Sequence, residues 1–145
     1  FRSLRMKESR SRVEDILDGS FQEVLDDPRV GDKSKVQRVV LCSGKVAWDA
    51  MSERDKRNAP VAVIRVEQLY PFPLVQINVM IDLYPNASEV VWLQEEPENM
   101  GPWHFVEHRI WRVKERGYDR ATSRAWNPAA RQPVRRQSRT RNSPT

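Results

Sequence analysis

Three short apolar runs rich in β-branched residues constrain the fold of this chain more than any other feature: Val36 to Cys42 (VQRVVLC), Val61 to Val66 (VAVIRV) and Val90 to Leu93 (VVWL). Short, nearly continuous apolar runs are the pattern of strands covered on both faces. Between them the period changes to that of a helix. Ser43-Gly44-Lys45 opens a helix of about 13 residues with an apolar stripe of Val46, Ala47, Ala50 and Met51, a solvated stretch from Glu53 to Arg57, and breakers at Asn58 and Pro60. Pro71 and Pro73 bracket the start of a second helix, striped by Leu74, Ile77, Ile81 and Leu83 and ended by Pro85-Asn86. The third runs from Trp103 to Arg116 on Phe105, Val106, Ile110 and Val113. Strands alternating with helices long enough to cross over imply parallel strands joined by right-handed connections. The expected fold is α/β, a three-layer sandwich with a mostly parallel sheet.

The flanks are weaker. In the lead-in, residues 1–35, Val13, Ile16 and Leu17 fall at helical spacing and Gly19 can end that short helix, while Phe21, Val24 and Leu25 are placed against the edge of the core. Asp26 to Lys33 reads as a turn-rich loop. Residues 36–117 form the α/β domain, and 118–145 are expected to be a disordered basic tail, because arginine, proline, serine and alanine alternate there without a period. The net charge of +5 is unevenly spread: seven arginines and no acid lie between Arg120 and Thr145, which leaves 18 basic and 20 acidic residues, or −2, in the first 119. The folded part therefore gives no ground for specific nucleic-acid binding, and only the tail would attach to polyanions, without specificity. No apolar stretch approaches the roughly 20 residues of a membrane span, and no charged start leads into an apolar signal region. A soluble, intracellular chain is expected, with no membrane partner, and the first residue, Phe1, suggests a piece of something longer.

Few residues carry the signature of chemistry. Cys42, the single cysteine, lies inside an apolar run and reads as a small buried residue rather than a nucleophile. Ser43 and Lys45 flank a glycine between a strand and a helix, a setting in which a tight turn is the plain reading and an anion or effector contact the sharper one. Glu95 and Glu96 follow one another out of a strand, so their carboxylates diverge rather than meet on one bond. Glu67, at the end of the second strand, is the kind of acid that pairs with an arginine. His104 and His108 are four apart, but Glu107 precedes the second histidine instead of following the first, and the chain has no third. No catalytic, cofactor-binding or metal-binding residue is assigned. Trp92, Trp103 and Trp111 sit in apolar-periodic segments and are read as packing residues.

Two blocks nevertheless carry a resemblance: Val63-Ile-Arg-Val-Glu-Gln-Leu-Tyr-Pro-Phe-Pro73 and Gln94-Glu-Glu-Pro-Glu-Asn-Met-Gly-Pro-Trp103, supported by Leu4-Arg5 and by Val36 to Lys45. Across residues 1–112 the chain resembles the C-terminal domain of the 2-oxoglutarate dehydrogenase first component. The resemblance implies a transketolase C-terminal-domain-like fold and an assembly or regulatory role. In that family the preceding domains bind thiamine diphosphate and Mg²⁺, so none of these is assigned to this fragment. The parent would be a homodimer that decarboxylates 2-oxoglutarate and passes succinyl to the lipoyl acyltransferase of a multienzyme complex, alongside dihydrolipoyl dehydrogenase. It would work in the bacterial cytoplasm or the mitochondrial matrix, and acetyl-CoA is an implied effector. The resemblance places Glu67, Tyr70, Phe72, Gln94, Glu95, Glu96, Asn99 and Trp103 at an interface with the preceding domains. The rival reading is a stand-alone module that binds an anionic or nucleotide effector without catalysis. Two departures stand out: Asn99-Met-Gly-Pro-Trp103 replaces the usual Asn-Gln-Gly-Ala-Trp, and the sequence after about Arg116 stops matching, as an altered reading frame near residue 120 would produce.

Overall fold

In the computed structural model, which describes residues 10, 13–17, 19–114 and 120–125, the three apolar runs become the centre of a five-stranded sheet. The strands are β1 (Val24–Leu25), β2 (Arg38–Cys42), β3 (Val61–Val66), β4 (Glu89–Gln94) and β5 (Arg120–Ala125), and the helices are α1 (Val13–Leu17), α2 (Val46–Arg57), α3 (Leu74–Asp82) and α4 (Trp103–Lys114). Their order across the sheet is β1-β3-β2-β4-β5. β2 lies parallel to both β3 and β4, with Val39 opposite Ala62 on one side and Val90 on the other.

Strand alternation divides the core into two layers. Val39, Leu41, Ala62, Ile64, Val90 and Trp92 face α3 and α4, meeting Ile77, Ile81, Val106 and Ile110. Cys42 and Val63 point the other way, onto Val46, Ala47 and Met51 of α2. The three-layer α/β sandwich is therefore present. Each fully buried Val, Leu or Ile side chain contributes about 1.5–3 kcal/mol through removal of its apolar surface from water, so the two layers hold the sheet from both sides. Asn58 stops α2 in the left-handed conformation (φ 48°), its amide donating to the carbonyls of Arg54 and Asp55; asparagine tolerates that conformation better than most residues.

Several expectations need correction. Leu83 caps α3 and is 40% exposed, and the residue buried in its place is Tyr84, whose side chain turns under the helix end. The stretch Glu53 to Arg57 is not wholly solvated: Arg54 is buried, because a carboxylate waits beneath it. Phe21 is exposed rather than packed at the core edge. Val24 and Leu25 form β1, which pairs antiparallel with the outer side of β3 and makes the sheet mixed. The largest change is at the far edge. Residues 120–125, assigned to a structureless tail, form β5, parallel to β4 from Arg120 opposite Glu89 to Ala125 opposite Gln94. An edge strand needs no apolar run on both faces, since its backbone bonds to the neighbouring strand hold it. The remainder of the 118–145 assignment lies outside the described residues.

Candidate functional site

The chain leaves β2 toward α2 on one face of the sheet and leaves the adjacent β4 toward α4 on the other. Such a reversal opens a crevice at the carboxyl ends of the two strands, the usual ligand or interface position in an open α/β sheet. Gly44 makes the turn out of β2 possible with φ 77°, a conformation that only glycine adopts at no steric cost. Lys45 follows at the start of α2, and its Nζ donates to Glu95 Oε1 at 3.3 Å and to Asp49 Oδ2 at 3.4 Å. The bonds from Glu95 and Asp49 raise its pKa. Two carboxylates thus already compensate Lys45. Ser43 is half-buried beside it.

Glu95 and Glu96 diverge in the bend that follows β4. Glu95 reaches toward α2, whereas Glu96 folds over Gly101, where a Cβ atom would stand 3.0 Å from its Oε2. Gly101 is left-handed at φ 69°, and that conformation calls for glycine; the exposed Glu96 side chain above it is free to shift. Gln94 organises the whole loop. It is buried, its Nε2 donates to the carbonyls of Glu96 (3.1 Å), Pro97 (3.2 Å) and Met100 (2.9 Å), and its Oε1 accepts from the Trp92 indole at 3.0 Å. With its two N–H hydrogens shared among three loop carbonyls, one of them bifurcated, and its oxygen on a buried N–H, a single neutral side chain holds the loop together. Asn99 is carried at the exposed tip.

The aromatic residues of the two blocks do not form one exposed surface. Trp103 is buried at the first position of α4, because the helix start turns its ring into the α3–α4 layer. Phe72 is half-buried against the same layer, edge-on to Phe105 with centroids 6.5 Å apart. Only Tyr70 stands out, at 81% exposure, tilted against Phe105 at 6.3 Å. Of the three aromatic residues that the resemblance places at an interface, Tyr70 alone is well exposed. Glu67 pairs with Arg65, Oε1 to Nη1 at 3.4 Å, and the Arg65 guanidinium lies 4.6 Å over the Trp48 ring. Cys42 is the buried residue expected, its thiol pushed up to about 12 by burial; a thiol in that setting is no nucleophile.

The opposite edge of the sheet holds what the sequence did not reveal. The carboxylate of Asp27 is fully buried, bonded by the Arg54 guanidinium and by the Val63 amide at 2.8 Å, and its second oxygen accepts from the Arg29 amide at 3.0 Å. Asp26 accepts from the Tyr84 hydroxyl and from Lys33 Nζ at 2.5 Å. Burial pushes the Asp26 carboxyl up, but the Lys33, Tyr84 and Asp27 amide bonds outweigh it and hold it below its ordinary value. Its contribution to stability is accordingly present at neutral pH and lost as the pH falls through that depressed value. Nothing in Asp26-Asp27-Pro28 or in an ERDKR stretch distinguishes these residues from an ordinary acidic turn and a solvated helix face. An open cleft of about 460 Å³ lies beside them, lined in part by Arg29, Asp32, Lys35, Arg54, Asp55 and Asn58. None of the expected site residues borders it, and its rim charges pair with one another as Arg29–Asp55 and Lys35–Asp32. The crevice between β2 and β4 therefore remains the better candidate.

The chain is 47% identical over 108 residues to the 2-oxoglutarate dehydrogenase E1 component of Cupriavidus necator, an alignment covering 74% of this chain and 11% of that protein. The proteins of the same name from Azotobacter vinelandii and Coxiella burnetii are 45% identical over 114 residues and 40% over 110; each alignment covers about three-quarters of this chain (76% and 74%) and 12% of the relative. The chain thus spans about one-ninth to one-eighth of the length of these curated relatives. No helix among the described residues is long and apolar enough to cross a membrane. The family described as 2-oxoglutarate dehydrogenase C-terminal matches residues 10–141, running well past Arg116, where the resemblance had been expected to stop. With its α/β sheet, its Gln94-centred loop and this match over most of its length, the chain belongs to the 2-oxoglutarate dehydrogenase C-terminal family.

Proposed function

We propose that this chain is the assembly domain of a 2-oxoglutarate dehydrogenase first component, a part that positions and does not react. The observation that carries the reading is the Gln94 hub, which fixes residues 95–102 as a rigid, exposed ridge at the carboxyl edge of the sheet. Family membership says what kind of protein that ridge serves. Glu67, Tyr70, Glu95, Glu96 and Asn99 would meet the preceding domains, while Gln94, Phe72 and Trp103 would act from beneath by holding that surface in shape. The residues present do not fit thiamine diphosphate or Mg²⁺: Lys45 is compensated by Glu95 and Asp49, and the carboxylates Glu95 and Glu96 diverge. Thiamine diphosphate supplies the carbanion chemistry in such enzymes, and we assign its binding to the rest of the longer polypeptide. The parent would then decarboxylate 2-oxoglutarate, transfer succinyl to a lipoyl group on its acyltransferase partner, and work beside dihydrolipoyl dehydrogenase as a homodimer. The paired state of Lys45 disfavours the rival reading of a stand-alone module for acetyl-CoA or another anion.

Replacing the matched 108 residues of the Cupriavidus necator relative with the corresponding part of this chain provides the test. Deletion of those residues should abolish both assembly and CO₂ release from 2-oxoglutarate, and the replacement should restore both. If the deletion leaves both intact, or if the isolated chain releases CO₂ above a buffer blank when given thiamine diphosphate and Mg²⁺, the proposal fails.

A further inference from the structure

The chain's only two histidines, His104 and His108, take no part in the core or in the Gln94-centred loop. Both lie in α4 (Trp103–Lys114). That helix takes its orientation from Trp103, Val106 and Ile110, which are buried in the α3–α4 layer. At roughly 100° per residue, His104 and His108 fall on the opposite side, and both are exposed. Residues four apart are neighbours on a helix surface, with Cβ atoms about 5–6 Å apart. From that spacing two imidazoles reach a single metal ion, with bonds of about 2.0–2.1 Å. Among the described side chains, the adjacent cation Arg109 is drawn away from the pair: its guanidinium lies 3.7 Å over the Phe105 ring and donates to the Phe105 carbonyl. Glu107, half-buried and three residues after His104, adds a negative charge beside it.

We propose that His104 and His108 form a two-imidazole site for an exchangeable divalent transition-metal ion, Cu²⁺ ahead of Ni²⁺ and Zn²⁺. The absence of a third histidine and the position of Glu107 argue against a hydrolytic zinc centre, which needs three protein ligands and a general base; a chelated surface ion needs neither. Neutral imidazole suits copper, nickel and zinc, with affinity greatest for Cu²⁺, whereas Mg²⁺ and Ca²⁺ take oxygen ligands. Packing of α4 against α3 and the sheet fixes the helix before any metal arrives. The second imidazole therefore binds intramolecularly, at a high effective concentration. Among the described residues no group of three or more potential ligands comes together, so the protein supplies two donors and water the rest. Such an ion exchanges with solvent and is not a structural part of the fold. The inference rests on α4 alone and does not depend on the assembly role proposed above.

Calorimetric titration of the full chain with CuCl₂, in a buffer that does not coordinate copper, tests the site. One Cu²⁺ should bind per chain, Ni²⁺ and Zn²⁺ should bind more weakly, and Mg²⁺ should give no measurable heat. His104→Gln and His108→Gln should each lower the Cu²⁺ affinity on the order of a hundredfold through loss of the chelate. Both positions are exposed, so the metal-free melting temperature of each variant should match that of the parent chain, which separates lost binding from lost folding. Paramagnetic resonance of the bound Cu²⁺ should report two imidazole nitrogens. A single variant that keeps the parent's affinity shows that the imidazoles act separately and overturns the proposal. So does a spectrum with one imidazole nitrogen, or Mg²⁺ bound as tightly as Cu²⁺.

Discussion

At the amino edge of the sheet one ion pair, Arg54 with Asp27, is buried, whereas at the carboxyl edge the ion pairs of Lys45 are exposed and a neutral amide does the holding. Asp27, sealed beneath Arg54 and the Val63 amide, ties the segment after β1 to α2 and β3, and Asp26 ties the same segment to Tyr84 beyond α3. At the other end Lys45, Glu95 and Asp49 pair in solvent at 3.3–3.4 Å, while Gln94 binds the loop from below. The contrast separates two uses of polar chemistry. A buried ion pair is strongly destabilising to break because the surviving partner is left without water or a counter-charge; an exposed pair is screened and adds little. The amino edge is therefore built for cohesion, and the carboxyl edge leaves its charges accessible to a neighbour.

The largest effect is expected from Asp27→Ala, which takes the buried counter-charge from Arg54, leaving it the half-exposed Asp55 and the Val61 carbonyl, and leaves the buried Val63 amide unbonded; it should cost about 3–5 kcal/mol, measured by chemical denaturation. A loss below 1 kcal/mol would erase the distinction between the two edges. Gln94→Leu comes next. It removes the donor to three loop carbonyls and the acceptor of the Trp92 indole, and should cost about 1–3 kcal/mol. Faster amide exchange should appear within residues 95–102 and leave the Asp26–Asp27 segment untouched, and exchange rising equally at both ends would mean that the edges are one cooperative unit. The smallest effect belongs to Lys45→Gln, for which the melting temperature should not change measurably. A clear drop would show that the carboxyl edge depends on its charges as the amino edge does.

The layered fold was readable because it rests on local patterns. β-branched runs produced β3 as expected, Val61–Val66, and the stripes of α2, α3 and α4 supplied the residues that now bury against the sheet. The buried state of Cys42 followed from its neighbours, whereas Glu95 and Glu96, which diverge as expected, do so in the bend after β4 and not through strand alternation. The matching blocks by themselves carry the family.

Other features depend on partners far away in sequence, and no local pattern encodes them. Arg54 is buried because Asp27, distant in sequence, is placed under it by the antiparallel pairing of β1 with β3; the same ERDKR stretch without that carboxylate would be a solvated face. Trp103 and Tyr70 come from equally conspicuous motifs, yet the turn of α4 buries one ring and leaves the other in water. The strand β5 exists because β4 offers a free edge, not because Arg120 to Ala125 is a strong strand sequence. Composition and periodicity therefore determined the strands, the helices and their layering, since those follow from the spacing of apolar side chains along the chain. Only the tertiary structure decided which charges are buried, which aromatic rings are exposed and where the sheet ends, because each of those is settled by the free energy of groups brought together across the fold.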